Sequence, residues 1–291
     1  MFEGTFTALV TPFLQDRLDE AAFVQLIESQ IHGGITGVVP VGTTGESPTL
    51  DHDEHHRVIE LAVKTVQGRC KVIAGTGSNS TTEAVSLTCE AERLGADGAL
   101  IVAPYYNKPT QAGLVAHYSA IAAATKLPIM LYSIPGRCGI EIGVDTVVTL
   151  AERHSNIVAI KEAGGSVERV SQLRAALPEH FDILSGDDSL TLPFLSVGAV
   201  GVVSVASNII PDQVGALVKT ALSGDYASAR KQHFHLYTLF KELFVESNPA
   251  PTKYALSLLG KMHSDVRLPL APLTDSSRAR VEAAMRLTGL L

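Results

Sequence analysis

A lysine closes an otherwise apolar, β-branched run, Asn156-Ile157-Val158-Ala159-Ile160-Lys161. At an unperturbed pKa near 10.4, fewer than about one lysine in a thousand is a free amine at neutral pH. Burial disfavours the ammonium and lowers that pKa by up to several units, giving an amine able to attack a ketone carbonyl. From position alone, pairing with a carboxylate such as Glu162 is the more ordinary role; the motifs elsewhere in the chain reverse that preference.

A second apolar run ends Leu131-Tyr132-Ser133-Ile134-Pro135-Gly136-Arg137-Cys138-Gly139 and brings a phenol and a guanidinium close together in sequence. A phenol can relay protons to an imine, whereas a guanidinium offers a forked, permanently charged contact to a carboxylate. Packing is the usual role of such a tyrosine and surface charge that of such an arginine. In Val41-Gly42-Thr43-Thr44-Gly45-Glu46-Ser47, glycines permit close backbone approach and threonines supply hydroxyl and amide N–H groups, a seat for a carboxylate or simply a polar turn. Tyr105 and Tyr106, in Pro104-Tyr105-Tyr106-Asn107-Lys108-Pro109, are candidates for loop packing or a subunit contact. Gly75-Thr76-Gly77 opens like a dinucleotide loop, but Ser80 stands where the third glycine belongs.

These groups need elements that aim them at one place. Eight short runs have strand character: 5–10, 37–41, 71–75, 99–102, 128–132, 157–161, 183–185 and 201–205. Helical patterns fill most intervals; in 51–67, Asp51 and Glu54 form a capping box ahead of Val58, Ile59, Leu61, Ala62 and Val66. Alternation of this kind predicts an α/β fold, a (β/α)8 TIM barrel with a C-terminal helical extension, in preference to an open doubly wound sheet. In a barrel the reactive groups sit at the strands' C-terminal ends, where Lys161, Tyr132 and the 41–47 loop all fall. Residues 1–224 are expected to form the catalytic barrel and 225–291 a helical subdomain, with helices over 225–245 and 276–287, a breaker at Asn248–Pro251 and a linker at Arg267–Pro272.

Composition narrows the partners. A formal net charge of -7 disfavours nucleic acid and anionic lipid, leaving small molecules. Three widely spaced cysteines, Cys70, Cys89 and Cys138, contain no CxxC pair, and the reading is of a cytoplasmic protein without export signal, membrane span or metal.

Together, Val41–Ser47, Pro104–Asn107, Tyr132–Arg137 and Ile160–Ala163 resemble, in order and spacing, the dihydrodipicolinate synthase family of class I pyruvate aldolases. The resemblance runs the length of the chain, taking in Gly4–Phe13, Ser185-Gly186-Asp187-Asp188, Asn248–Pro251 and Leu268–Leu273. It implies that Lys161 forms an imine with pyruvate, so that no cofactor is needed, and that Thr44 with its neighbouring amide holds the pyruvate carboxylate. Tyr132 would be the central acid/base in a relay with Thr43 and with Tyr106 from a neighbouring subunit. Arg137 would bind the second substrate, L-aspartate 4-semialdehyde, with Gly186 and Val203 lining the pocket and 4-hydroxy-tetrahydrodipicolinate as product, the first committed step toward diaminopimelate and lysine. Ser133 and Cys138 depart from the usual Asn and Thr, which bears on the surroundings of the acid and the arginine.

The resemblance further implies a homotetramer, a dimer of dimers, and inhibition by L-lysine at Ser47, His52, His55, Asn79, Glu83 and Tyr105. A solvated helix start is the plainer role for His52, His55 and His56, and a third ligand for a metal is not evident there. Three other functions compete. A sugar-acid aldolase would keep the lysine and tyrosine but generally lack Arg137, a silent binding barrel would lose one of the first two, and a metal-dependent aldolase would be sensitive to EDTA.

Overall fold

The computed structural model describes residues 1–291. Eight strands, β1 (Gly4–Ala8), β2 (Gly37–Val39), β3 (Lys71–Gly75), β4 (Gly98–Val102), β5 (Ile129–Ser133), β6 (Ile157–Glu162), β7 (Asp182–Ser185) and β8 (Gly201–Ser204), pair in parallel. The sheet closes because β1 pairs with both β2 and β8. All eight expected runs are strands, each within two residues of the boundaries read from the sequence. Around them lie α1 (Glu20–His32), α2 (His52–Val66), α3 (Thr81–Leu94), α4 (Gln111–Ala124), α5 (Val144–Arg153), α6 (Val167–Ala176), α7 (Thr191–Leu195) and α8 (Pro211–Leu222). The capping box that starts α2 forms as expected: Asp51 accepts from the Glu54 amide while the Glu54 carboxylate accepts from the Asp51 amide.

Side chains alternate across each strand, so every strand feeds two cores. Phe6, Ala8, Val39, Leu100, Met130, Tyr132, Ala159, Leu184 and Val203 fill the barrel interior. The opposite faces, such as Ile129 and Leu131 on β5 and Ile160 on β6, pack beneath the helices.

The extension holds α9 (Tyr226–Glu242), α10 (Ala250–Leu258) and α11 (Asp275–Leu287). Its Leu236, Leu256 and Val281 belong to the same hydrophobic cluster as the barrel's outer layer. Two features differ from the expectation. Asn248 and Pro249 do lie in the break between α9 and α10, but Ala250 and Pro251 already belong to α10, because proline is tolerated in a helix's first turn, where its missing N–H has no partner to lose. A short hairpin pairs Phe13–Leu14 with Arg17–Leu18 before α1; two-residue strands are too short to leave a periodic signal.

Candidate active site

The period-2 alternation of β6 sends Ala159 and Lys161 into the barrel and Ile160 and Glu162 outward. Glu162 therefore turns away from its neighbour and meets Arg169 of α6, whose Nε donates to it at 2.8 Å; the Gly164 amide donates to its other oxygen. Arg169 also reaches Glu141 and the carbonyl of Ile142. The lysine–glutamate pairing that position alone favoured is replaced by this outward ion pair, and Lys161 stays in the interior with only 5% of its surface exposed.

Its Nζ lies 4.1 Å from the centroid of the Tyr132 ring, and the two residues are direct partners in the β5–β6 register. Desolvation pulls the Lys161 pKa down to about 7, against an upward pull from the Asp188 carboxylate and with a further downward push from Arg137. About half of such side chains are free amine at neutral pH, against roughly one in three thousand at an unperturbed 10.5. Burial pushes the Tyr132 phenol up to about 12, while the Arg137 charge and a hydrogen bond with Thr43 draw it back. The phenol thus keeps its proton at neutral pH and is a donor next to a desolvated amine.

Arg137 sits on a single helical turn, Pro135–Cys138, that immediately follows β5. It lines a cavity of about 370 Å³ together with Thr43, Tyr132, Ile134 and Cys138. The two departures from the family pattern are quietly accommodated: Cys138 donates its S–H to the Ala103 carbonyl at 3.2 Å, and Ser133 Oγ accepts from the Ile142 amide.

Gly186 closes against the lysine, since a Cβ built there would lie 3.0 Å from Lys161 Cε and 2.8 Å from Ala163 Cβ. Only hydrogen fits at that approach. Val203 packs in the barrel interior with Tyr132. Thr44 is buried, and its Oγ1 accepts a hydrogen bond from Asn248 Nδ2 at 2.9 Å. Tyr106 stands apart from all of these, 91% exposed on a left-handed backbone (φ 72°), and does not line the cavity of its own chain.

The sequence assigns no role to Asp188, although Ser185–Asp188 is part of the family resemblance. The carboxylate is buried, and desolvation raises its pKa to about 6 even though Ser204 Oγ and the amides of Val205 and Ala206 donate to it. It is the chief negative charge acting on Lys161. The legible signal was a pair of acidic residues just beyond a strand end; that one of them turns inward is a property of the turn.

The cavity that holds Arg137 and Tyr132 continues past Ser47, His52, His55, Glu83 and Tyr105. His52 Nε2 meets Glu83 at 3.0 Å, and Ser78 and His52 hold the Glu83 carboxyl below its ordinary pKa. Burial lowers His55 to about 4, leaving it neutral, with Nε2 against the Gly75 carbonyl at 2.9 Å. Asn79 is not on the wall; its amide donates to the Tyr105 carbonyl and so braces that residue. No three His, Cys, Asp or Glu side chains in the molecule come together as a metal-holding group.

A closed parallel barrel whose mouth gathers a desolvated amine, a phenol and a guanidinium places the chain among the barrel enzymes. The model of the dihydrodipicolinate synthetase family matches residues 1–287. A 4-hydroxy-tetrahydrodipicolinate synthase of Geotalea uraniireducens is 50% identical over 291 residues, 100% of both chains. Among solved structures, the corresponding synthase of Methylacidiphilum fumariolicum SolV superposes with a TM-score of 0.98 at 55% identity, covering 99% of this chain and 96% of that one. The synthase of Cyanidioschyzon merolae with lysine bound gives 0.97 at 44%, covering 100% and 99%. The chloride-inhibited synthase of Acinetobacter baumannii complexed with pyruvate gives 0.98 at 42%, covering 100% of both. The chain belongs to the dihydrodipicolinate synthetase family.

Proposed function

We propose that the chain condenses pyruvate with L-aspartate 4-semialdehyde to 4-hydroxy-tetrahydrodipicolinate through an imine on Lys161, in the cytoplasm, as a step of diaminopimelate and lysine biosynthesis. The observation that carries this reading is the Lys161 amine, desolvated inside the barrel mouth and held 4.1 Å from the Tyr132 ring. The neutral amine attacks the keto carbon of pyruvate, water leaves, and loss of a methyl proton gives an enamine. That carbon attacks the aldehyde carbon of the second substrate, whose own amine then closes the ring on the former keto carbon and releases Lys161. No external cofactor enters these steps.

Tyr132 is the acid/base group for the water and the new alkoxide, relayed through Thr43 and, in an assembled homotetramer built as a dimer of dimers, through Tyr106 of a neighbouring subunit. The exposure of Tyr106 supports that assignment, because its phenol is available to another chain. Thr44 receives the pyruvate carboxylate and Arg137 the carboxylate of the semialdehyde, with Gly186 and Val203 shaping the pocket. Residues 1–224 act as the catalytic barrel and 225–291 as a helical subdomain. The arm of the cavity lined by Ser47, His52, His55, Glu83 and Tyr105, with Asn79 bracing Tyr105, binds L-lysine as inhibitor: an ionised Glu83 beside neutral His55 suits an ammonium. Borohydride reduction in the presence of pyruvate, followed by peptide mass mapping, tests the chemistry. A reduced pyruvate adduct on Lys161 is expected, and an unmodified Lys161 would refute the mechanism.

A further inference from the structure

The Asn248–Pro251 segment opens α10, and its first residue reaches across the molecule. Asn248 is buried, its Nδ2 donates to Thr44 Oγ1 at 2.9 Å, and its Oδ1 faces the Thr252 hydroxyl at 3.5 Å. A hydroxyl carries one hydrogen and accepts through its lone pairs. Once Thr44 accepts from the amide, that hydrogen is left to point elsewhere.

The loop bearing Thr44 is gripped at a second place by the same extension. Glu46, in a left-handed backbone conformation (φ 55°), forms a fully buried ion pair with Lys253 of α10 and accepts from the Arg267 amide at 3.0 Å. The Arg267 guanidinium forks onto Glu54 and stacks over the Phe13 ring 4.2 Å away. A loop anchored by three contacts from residues about 200 positions downstream has little freedom to turn Thr44 away.

We infer that Asn248 is a positioning residue for the keto-acid substrate: by donating to Thr44 Oγ1, it obliges that hydroxyl to present its hydrogen to the incoming carboxylate. This rests on Thr44 being the carboxylate-binding residue. A hydroxyl free to rotate would offer hydrogen or lone pairs alike, and lone pairs repel a carboxylate. The extension thereby sets the polarity of the pyruvate subsite without touching pyruvate.

Asn248→Asp keeps the shape of the side chain and reverses its polarity, making it an acceptor that competes for the Thr44 hydrogen. The variant is expected to raise KM for pyruvate by about tenfold or more, the effect of losing one charge-assisted hydrogen bond. KM for the semialdehyde should stay unchanged, and kcat at saturating pyruvate should lie within about twofold of the parent. In a Thr44→Val background, Asn248→Asp should add nothing, a coupling that a merely structural role would not produce. An unchanged pyruvate KM in Asn248→Asp, or equal effects with and without the Thr44 hydroxyl, overturns the inference. If Thr44→Val itself leaves pyruvate KM unaltered, the assignment of Thr44 fails instead. Should the aspartate variant not fold, Asn248→Ala removes the donor without adding charge; a several-fold rise supports the inference and an unchanged KM overturns it.

Discussion

Replacing Lys161 with a side chain of similar length tests the desolvation on which its proposed role as nucleophile depends. A lysine whose pKa falls from 10.5 to about 7 on folding destabilises the protonated native state by about 5 kcal/mol relative to the unfolded chain. The sign follows from the depressed folded value. Below about pH 7 the native side chain is protonated and the whole penalty is present. Between about 7 and 10.5 the unfolded chain holds a proton that the native one lacks, so the penalty shrinks as pH rises and vanishes near 10.5. Lys161→Met removes the charge while keeping most of the volume, at the loss of about 1–3 kcal/mol from imperfect repacking against Tyr132 and Gly186. A net gain of about 2–4 kcal/mol is expected at pH 6, worth roughly 4–8 °C in Tm for a chain of this size. Equilibrium unfolding in urea at pH 6, 8 and 10, at one protein concentration so that assembly contributes equally, reads it directly. A variant less stable than the parent at pH 6, or a gain identical at all three values, would show that Lys161 is not desolvated as described.

Arg137→Ala should cut kcat/KM for the semialdehyde by roughly 10 to 150-fold, the effect of one charged hydrogen bond, while borohydride still traps the pyruvate adduct; equal loss of both would contradict its role. Arg169→Met leaves Glu162 buried and unpaired and should destabilise the fold by about 3–5 kcal/mol at pH 8. Burial already raises the Glu162 pKa, so protonation should relieve that loss as pH falls toward 5; urea titrations at both values measure it. L-Lysine at millimolar concentration should raise Tm and reduce turnover, and Glu83→Gln should weaken both effects; a flat thermal-shift titration of the parent would remove the control site.

What could be read without coordinates was what repeats or what stands next to its partner in sequence. Eight apolar runs with helical patterns between them favour a barrel over an open sheet, and the strand-end rule then puts Lys161, Tyr132 and the 41–47 loop at one mouth. Alternation within β6 was legible too, since adjacent residues of a strand face opposite ways. That parity puts the two neighbours on opposite faces, which is why the Lys161–Glu162 pairing favoured from position does not form. The partner that Glu162 takes instead lies seven residues on in α6, at a spacing that means nothing until the intervening turn is built.

The extension shows the other limit. Asn248, Lys253 and Arg267 carry no periodic signal, and their partners Thr44, Glu46 and Glu54 are 204, 207 and 213 residues away. A lysine in an otherwise ordinary helix reads as a surface residue, and burying it without a counter-ion would be prohibitive. Its burial against Glu46 therefore implies a tightly specified loop on the barrel side. The contact is made at the one βα loop that carries both Thr43 and Thr44. The helices beyond the eighth strand are accordingly constrained by the loop proposed to hold the substrate, although none of their side chains needs to take part in the chemistry.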